Sequence, residues 1–203
     1  MWLFILLTVV IGYLLGNLNG AVWVSHLLKD DVRTHGSGNA GLTNFIRSYG
    51  THYALLVIAV DALKAVAACL IGGFLMKPYG LGDEGAALGG AMVILGHAFP
   101  VFLGFRGGKG ILSGLCVALM MDWRIALLIL AVFALAYIAT GYVSLGSVLG
   151  SAGFGVGFVL FHYNNLMIVL CGVGMSLLAI FMHRQNIARL IKGEERKTNL
   201  FKK

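Results

Sequence analysis

His52 to Met76, HYALLVIAVDALKAVAACLIGGFLM, decides the fold. It holds 25 residues with only two charges, Asp61 and Lys64. At about 1.5 Å of rise per residue, such a helix crosses a hydrocarbon core of about 30 Å. It shows none of the alternation that a half-buried strand requires. Comparable apolar runs lie on either side, at 2–27, 86–104, 111–121, 124–142, 145–161 and 165–182. The run at 111–121 is too short to cross alone unless it starts in the glycine loop before it. Punctuation falls between the runs, at Lys29-Asp30-Asp31, Lys77-Pro78-Tyr79-Gly80, Arg106-Gly107-Gly108, Asp122 and Tyr163-Asn164-Asn165.

Composition agrees. Of 203 residues, 59% are hydrophobic and 11% charged, and the mean hydropathy is +0.90. These values exclude a disordered chain, a basic nucleic-acid-binding domain and an ordinary cytosolic fold. In lipid every backbone polar group must be satisfied internally, so the class is all-α. The expectation is a polytopic membrane helical bundle of seven transmembrane helices, forming a single domain over residues 1–203. The first run lacks a basic start and continues past Gly12, so it reads as a retained span and not a cleaved signal.

Basic residues orient the bundle. With seven spans and an external N-terminus, Lys29, Arg33, Arg47, Arg106, Lys109 and the tail (Arg184, Arg189, Lys192, Arg196, Lys197, Lys202, Lys203) fall inside. That places 12 of 15 Lys and Arg on one side, as the positive-inside rule expects. The net charge of +7 is thus a topology signal and an anionic-lipid contact. Cys69, Cys116 and Cys171 are isolated in apolar runs and suggest neither disulfides nor a metal site. Gly12 with Gly16, and Gly153 with Gly157, have the spacing of close helix–helix contacts.

Polar chemistry gathers on the inner side in three strings. The first, Gly36-Ser37-Gly38-Asn39-Ala40-Gly41-Leu42-Thr43-Asn44-Phe45-Ile46-Arg47, matches G-x-G-x-x-G formally, but no strand precedes it, so a dinucleotide fold is excluded. A flexible linker is the plain alternative. A linker has no need of Ser37, Asn39, Asn44 and Arg47 beside three glycines, whereas an oxyanion site uses all of them. The second string is Gly96-His97-Ala98-Phe99-Pro100, followed by Arg106-Gly107-Gly108-Lys109-Gly110. Its spacing is short for a Walker loop and Gly110 stands where Ser or Thr would bind magnesium. A glycine turn opening the helix at Ile111 still offers backbone donors and the Lys109 ammonium to a phosphate. The third string is His183-Arg184-Gln185-Asn186-Ile187-Ala188-Arg189-Leu190 with Gly193 and Glu195; His183 and Asn186 share a helix face. Residues Arg189 to Lys197 suit a lipid-surface helix as well as a site. Asp61 and Lys64 suit either a structural ion pair or a direct site role. Ser144 suits a ligand donor or a helix cap. His26, His35, His52 and His162 show no partner pattern.

These strings resemble the bacterial membrane glycerol-3-phosphate acyltransferases that take acyl phosphate as donor, the PlsY family. The resemblance runs nearly end to end, with Asp61, Lys64 and Tyr142 to Ser147 at weaker family positions. Ala40 stands where the family usually has Pro, and Leu42 where it often has Ala; neither change removes a donor. The resemblance implies a seven-span protein of the bacterial cytoplasmic (inner) membrane, with its C-terminus and active site facing the cytosol. The implied reaction moves a fatty acyl group from acyl phosphate to the 1-hydroxyl of sn-glycerol 3-phosphate, giving lysophosphatidic acid and inorganic phosphate in phospholipid biosynthesis. No metal, cofactor or covalent intermediate is implied. The expected partners are the two substrates and membrane lipid, with no nucleic acid, and the expected state is a monomer.

Ser37, Arg47, His97, Lys109 and Asn186 are the expected catalytic residues. Asn39, Asn44, Gly107, Gly108, Gly110, Ser144 and His183 are the expected substrate-binding ones. The base is either His97 or a substrate phosphate oxygen, the second being what the family suggests. A small-anion or phospholipid transporter would need polar residues continuing to the outer face, where no comparable cluster occurs. A metal-dependent phosphotransferase would need more carboxylates near the loops than Asp30 and Asp31 supply.

Overall fold

The computed structural model describes residues 1–197. Lys202 and Lys203 of the basic tail lie outside them. Among the described residues there are ten α-helices and no strand. They sort into two compact units, Met1–Met121 and a second beginning at Asp122.

The first unit contains α1 (Trp2–Gly16), α2 (Gly20–Leu27), α3 (Leu42–Tyr49), α4 (Ala54–Met76), α5 (Gly82–Ala98) and α6 (Ile111–Met121). Glycines let α1, α4 and α5 approach to backbone contact. A Cβ on Gly72 would strike the Gly85 carbonyl, and one on Gly89 the Ala68 carbonyl. The expected Gly12/Gly16 pair packs on α5, where Gly16 faces the Val93 carbonyl and Gly96 faces that of Tyr13.

The run at 2–27 is not one continuous helix. It divides into α1 and α2 with a bend of 42°. Asn17 and Asn19 explain the break, because short amide side chains compete with the helix for its backbone. Asn17 Nδ2 donates back to the Tyr13 carbonyl at 2.8 Å, and Asn19 Oδ1 caps α2 by accepting from Val22 N at 3.0 Å. The break frees backbone groups deep inside an apolar chain, and Asp61 and Lys64 of α4 satisfy them. Asp61 Oδ1 accepts the Gly20 N–H at 3.1 Å, while Lys64 Nζ donates to the Leu18 carbonyl at 2.7 Å. An anion thus meets a helix N-terminus and a cation a helix C-terminus, as the helix dipoles favour. The two side chains pair at 2.7 Å and are almost wholly buried.

The second unit is built from α7 (Trp123–Thr140), α8 (Val143–His162), α9 (Leu166–Met182) and α10 (Arg184–Ile191). Gly141, in the left-handed conformation at φ +75°, turns α7 into α8. Gly157 packs on Ile125 of α7, and Gly155 on Ser176 of α9. Gly153 meets Val132 at ordinary contact distance.

Four segments are long and apolar enough to cross a membrane: Ala54–Tyr79, Gly82–Leu103, Trp123–Thr140 and Val143–His162. The number rises to six if α1 with α2, and α9 with α10, each count as one bent span. Helix α6, at 11 residues, is shorter. Burial is inverted relative to a soluble protein. Asp61, Lys64 and His97 are buried, whereas Leu55, Phe74 and Ile138 are each more than 70% exposed. Such surfaces require lipid around them.

Candidate active site

In the first unit, two loops are built by local polar bonds and then pressed together. Asn44, the third residue of α3, holds the first loop. Its Oδ1 accepts the Ser37 N–H at 2.9 Å, and its Nδ2 donates to the carbonyls of Val32 and His35, both at 3.0 Å. Gly36 (φ +58°) and Gly38 (φ +69°) allow the chain to curl around this amide. A Cβ at Gly36 would collide with Asn44 Oδ1. The curl leaves Ser37 on the surface, with Arg47 exposed on α3 and Asn39 half-buried.

Asp31 anchors the start of the loop. It accepts from the Arg33 backbone N–H at 2.9 Å and pairs with the Arg33 guanidinium at 2.7 Å. Arg33 Nη1 then reaches the Leu103 carbonyl at 3.0 Å, beyond α5. The Arg33 guanidinium brings the Asp31 carboxyl down to about 2. His35 pairs with Asp30 at 2.8 Å and lowers that carboxyl too, while His26 lies 3.9 Å from Asp31. His26 and His35 therefore do have partners, contrary to the sequence expectation. Each acid sits five residues from its histidine across a turn, where helical or strand periodicity gives no signal. Burial, then the Asp30 carboxylate, pushes the nearby Tyr49 hydroxyl up to about 12.

The second loop folds onto His97. The Gly108 N–H donates to the His97 carbonyl at 3.0 Å, and a Cβ at Gly107 would strike that same carbonyl. A Cβ at Gly108 would meet both His97 Nε2 and, at 2.5 Å, the carbonyl of Ala40. The Ala40 carbonyl is held in turn by Asn19 Nδ2 at 2.9 Å. Gly108 is thus the point where the two loops touch. After Lys109, Gly110 (φ +74°) delivers the chain into α6, whose first turn carries Ser113, bonded to the Asp61 carbonyl at 3.1 Å. His97 is 3% exposed, and its Nδ1 lies 2.8 Å from Lys64 Nζ.

In the second unit, His183 sits at the corner between α9 and α10, which bend by 54°. Its Nδ1 lies 2.8 Å from the Ala179 carbonyl, which can only accept, so Nδ1 carries a proton. Asn186 donates to Glu195 Oε1 at 2.7 Å, and Arg189 Nε to Oε2 at 2.6 Å. Burial pushes the Glu195 carboxyl up, but Arg189, Asn186 and Ser144 outweigh it and hold the group below the usual carboxylate range. Ser144 is the second residue of α8 and makes no capping bond; its buried hydroxyl lies near Glu195 without good hydrogen-bond geometry. A buried donor left in this way is available to a ligand. Among the described residues no three His, Cys, Asp or Glu side chains form a metal-holding group.

The family model described as glycerol-3-phosphate acyltransferase matches residues 6–193. The chain belongs to the glycerol-3-phosphate acyltransferase family. The glycerol-3-phosphate acyltransferase of Thermoanaerobacter pseudethanolicus is 42% identical over 196 residues, covering 96% of each chain. That of Clostridioides difficile is 40% identical, covering 93% of this chain and 92% of the relative. Crystal structures of PlsY, an integral membrane glycerol 3-phosphate acyltransferase, match as well. Its glycerol 3-phosphate form superposes with a TM-score of 0.86 at 32% identity, over 98% of this chain and 99% of that one. Its lysophosphatidic acid form gives 0.82 over 96% and 95%. This acyltransferase-family chain is accordingly a multi-pass membrane protein.

Within the first unit, the fold joins the first and second sequence strings at Ala40 and Gly108. It turns Asn44 inward, so that both its amide hydrogens are committed to the loop itself. Ser144, His183 and Asn186 fall in the second unit, where Ser144 and Asn186 share Glu195 as neighbour. Sequence reasoning missed Asn19, which secures Ala40, and the Asp31–Arg33 clasp to Leu103. The signal for Asn19 was available: Asn17 and Asn19 are two amides in an otherwise apolar run.

Proposed function

We propose that this protein transfers a fatty acyl group from acyl phosphate to the 1-hydroxyl of sn-glycerol 3-phosphate, releasing lysophosphatidic acid and inorganic phosphate. The observation that carries this reading is the meeting of two glycine turns at Ala40 and Gly108 above buried His97. Such turns aim backbone N–H groups and nearby cations at polyanionic oxygens. The donor is already activated as a mixed anhydride. The enzyme's task is to align the hydroxyl with the carbonyl carbon and to stabilise developing charge.

In this reading Ser37, Asn39 and Arg47, with Lys109 and the backbone of Gly107, Gly108 and Gly110, hold phosphate groups. Asn44 acts through the loop it shapes. Ser144, His183 and Asn186 are further substrate-contacting groups. As the bond from the acyl carbonyl carbon to the C1 hydroxyl oxygen forms, the bond from that carbon to the phosphate oxygen breaks, and the hydroxyl proton passes to a base. Both units act as one acyltransferase domain, monomeric in the bacterial inner membrane. Seven crossings follow when α1 with α2, and α9 with α10, each count as one bent span and α6 is completed by the Gly107–Gly110 turn. The N-terminus is then external, and the loops, the active site and the C-terminus face the cytosol, the side on which the basic residues gather.

The test is phosphate release by the purified protein given acyl phosphate and glycerol 3-phosphate with chelator present. Release that needs both substrates and yields lysophosphatidic acid supports the reading. Turnover of an acyl thioester alone would refute the donor assignment, and release only with added divalent metal would refute the unassisted mechanism.

A further inference from the structure

His97 sits under the junction of the two loops, and its protonation pattern is set by neighbours that are not part of either. Lys64 Nζ has three short acceptors: Asp61 Oδ1 at 2.7 Å, the Leu18 carbonyl at 2.7 Å and His97 Nδ1 at 2.8 Å. The Gly16 carbonyl is a fourth and longer partner at 3.4 Å. An ammonium has N–H donors and no lone pair, so at 2.8 Å Nδ1 can only accept. Asp61 Oδ1 lies 3.6 Å from His97 Nδ1, beyond hydrogen-bond range, so no carboxylate takes an Nδ1–H. This is the reverse of the Ser-His-Asp arrangement. There a carboxylate accepts from Nδ1–H and leaves Nε2 as the basic nitrogen. Here the single proton of the neutral ring resides on Nε2. That edge faces Gly108 and the Ala40 carbonyl side of the loop junction. Among the described residues Nε2 makes no hydrogen bond.

The geometry points to Lys64, anchored by Asp61, as a positioning residue that locks His97 as the Nε2–H tautomer, making His97 a hydrogen-bond donor to a substrate phosphate oxygen and not the base. The inference rests on the acyl-transfer reading for the identity of the acceptor. It agrees with the phosphate oxygen that the family resemblance suggests as base, since the edge of His97 turned toward the loops already carries a hydrogen. Asp61 and Lys64 acquire a double duty: they satisfy the backbone broken between α1 and α2 and fix one proton at the site.

The tautomer is read directly by long-range proton–nitrogen correlation in full-length protein labelled with 15N-histidine, in lipid nanodiscs. The His97 signal is identified by its loss in His97→Gln. The expected pattern is a bare Nδ1 and a protonated Nε2, with Nε2 shifting when glycerol 3-phosphate is added. A proton on Nδ1, or on both nitrogens at neutral pH, would overturn the proposal. Asp61→Asn with Lys64→Met removes both buried charges together and is expected to release the proton to either nitrogen; an unchanged Nε2–H there would overturn the role of Lys64. In turnover, His97→Gln, which keeps a donor but has no basic nitrogen, is expected within about tenfold of the parent, and His97→Ala about 100-fold below it. Equal losses in the two variants would overturn the donor role. Because the tautomer is measured without turnover, its failure is separable from failure of the acyl-transfer reading, which the two-substrate assay decides.

Discussion

Replacing Gly108 by Ala isolates the contact on which the site depends. The new methyl would sit 2.5 Å from the Ala40 carbonyl oxygen and against His97 Nε2. Ordinary contacts begin near 3.4 Å, so the loops must separate by about 0.9 Å. Neither neighbour yields easily. The Ala40 carbonyl is held by Asn19 at 2.9 Å, and His97 by Lys64 at 2.8 Å. Gly108 is not among the positive-φ glycines, so alanine introduces a collision without backbone strain. Overpacking of this kind costs about 1–3 kcal/mol, and a misplacement of about 1 Å in a reacting site costs about 100-fold in rate. We therefore expect Gly108→Ala to fold and to lose about 100-fold in kcat/KM for glycerol 3-phosphate, equivalent to about 2.7 kcal/mol of transition-state stabilisation. The assay is phosphate release with varied glycerol 3-phosphate at saturating acyl phosphate. Gly174→Ala is the control, since nothing lies within 4 Å of the added methyl. Activity of Gly108→Ala within twofold of that control would refute the loop-junction reasoning.

Asn44→Ala removes three hydrogen bonds from the first loop. A rise of at least tenfold in KM for glycerol 3-phosphate is expected, against little change for acyl-chain variants of the donor. Gly96→Ala would drive a methyl into the Tyr13 carbonyl where α1 crosses α5. Thermal unfolding in detergent should show a loss of about 1–3 kcal/mol. Asp31 has a folded-state value depressed to about 2 by Arg33, from the usual 3.8. A depressed acid contributes stability that is present above pH 3.8 and lost as pH falls toward 2. Partial exposure screens this to about 1 kcal/mol. Asp31→Asn should therefore flatten the acid limb of the stability profile between pH 5 and 2, and an unchanged limb would count against the clasp. Glu195→Gln removes the carboxylate shared by Asn186 and Arg189, and should lower kcat at least tenfold if that cluster orders Asn186 for substrate.

Much of this architecture was legible because a bilayer leaves so few options. Apolar runs must be helices, so the helical class and the segments at 52–76, 124–142 and 145–161 follow from composition and length. Glycine beside Ser37, Asn39 and Lys109 marked both loops, because flexible backbone next to polar donors has no use in a simple linker. Legibility failed where one side chain competes with a helix. The division of the first run depends on two amides, and hydropathy averages them away. It failed again for His35 and Asp30, whose pairing follows from a turn and not from any periodicity.

The order of residues alone determined that this chain lives in lipid, that it is helical, and that its polar chemistry gathers in three strings. Local composition is sufficient for those properties, because burial of backbone and solvation of charge act on each segment separately. Only the tertiary structure decided what individual polar atoms do. Asp61 and Lys64 meet a broken helix 41 to 48 residues away, Asn44 is consumed in shaping its own loop, and Ala40 touches Gly108. A hydrogen bond depends on direction and on a few tenths of an ångström, and positions that distant in the chain acquire such geometry only once the helices have packed.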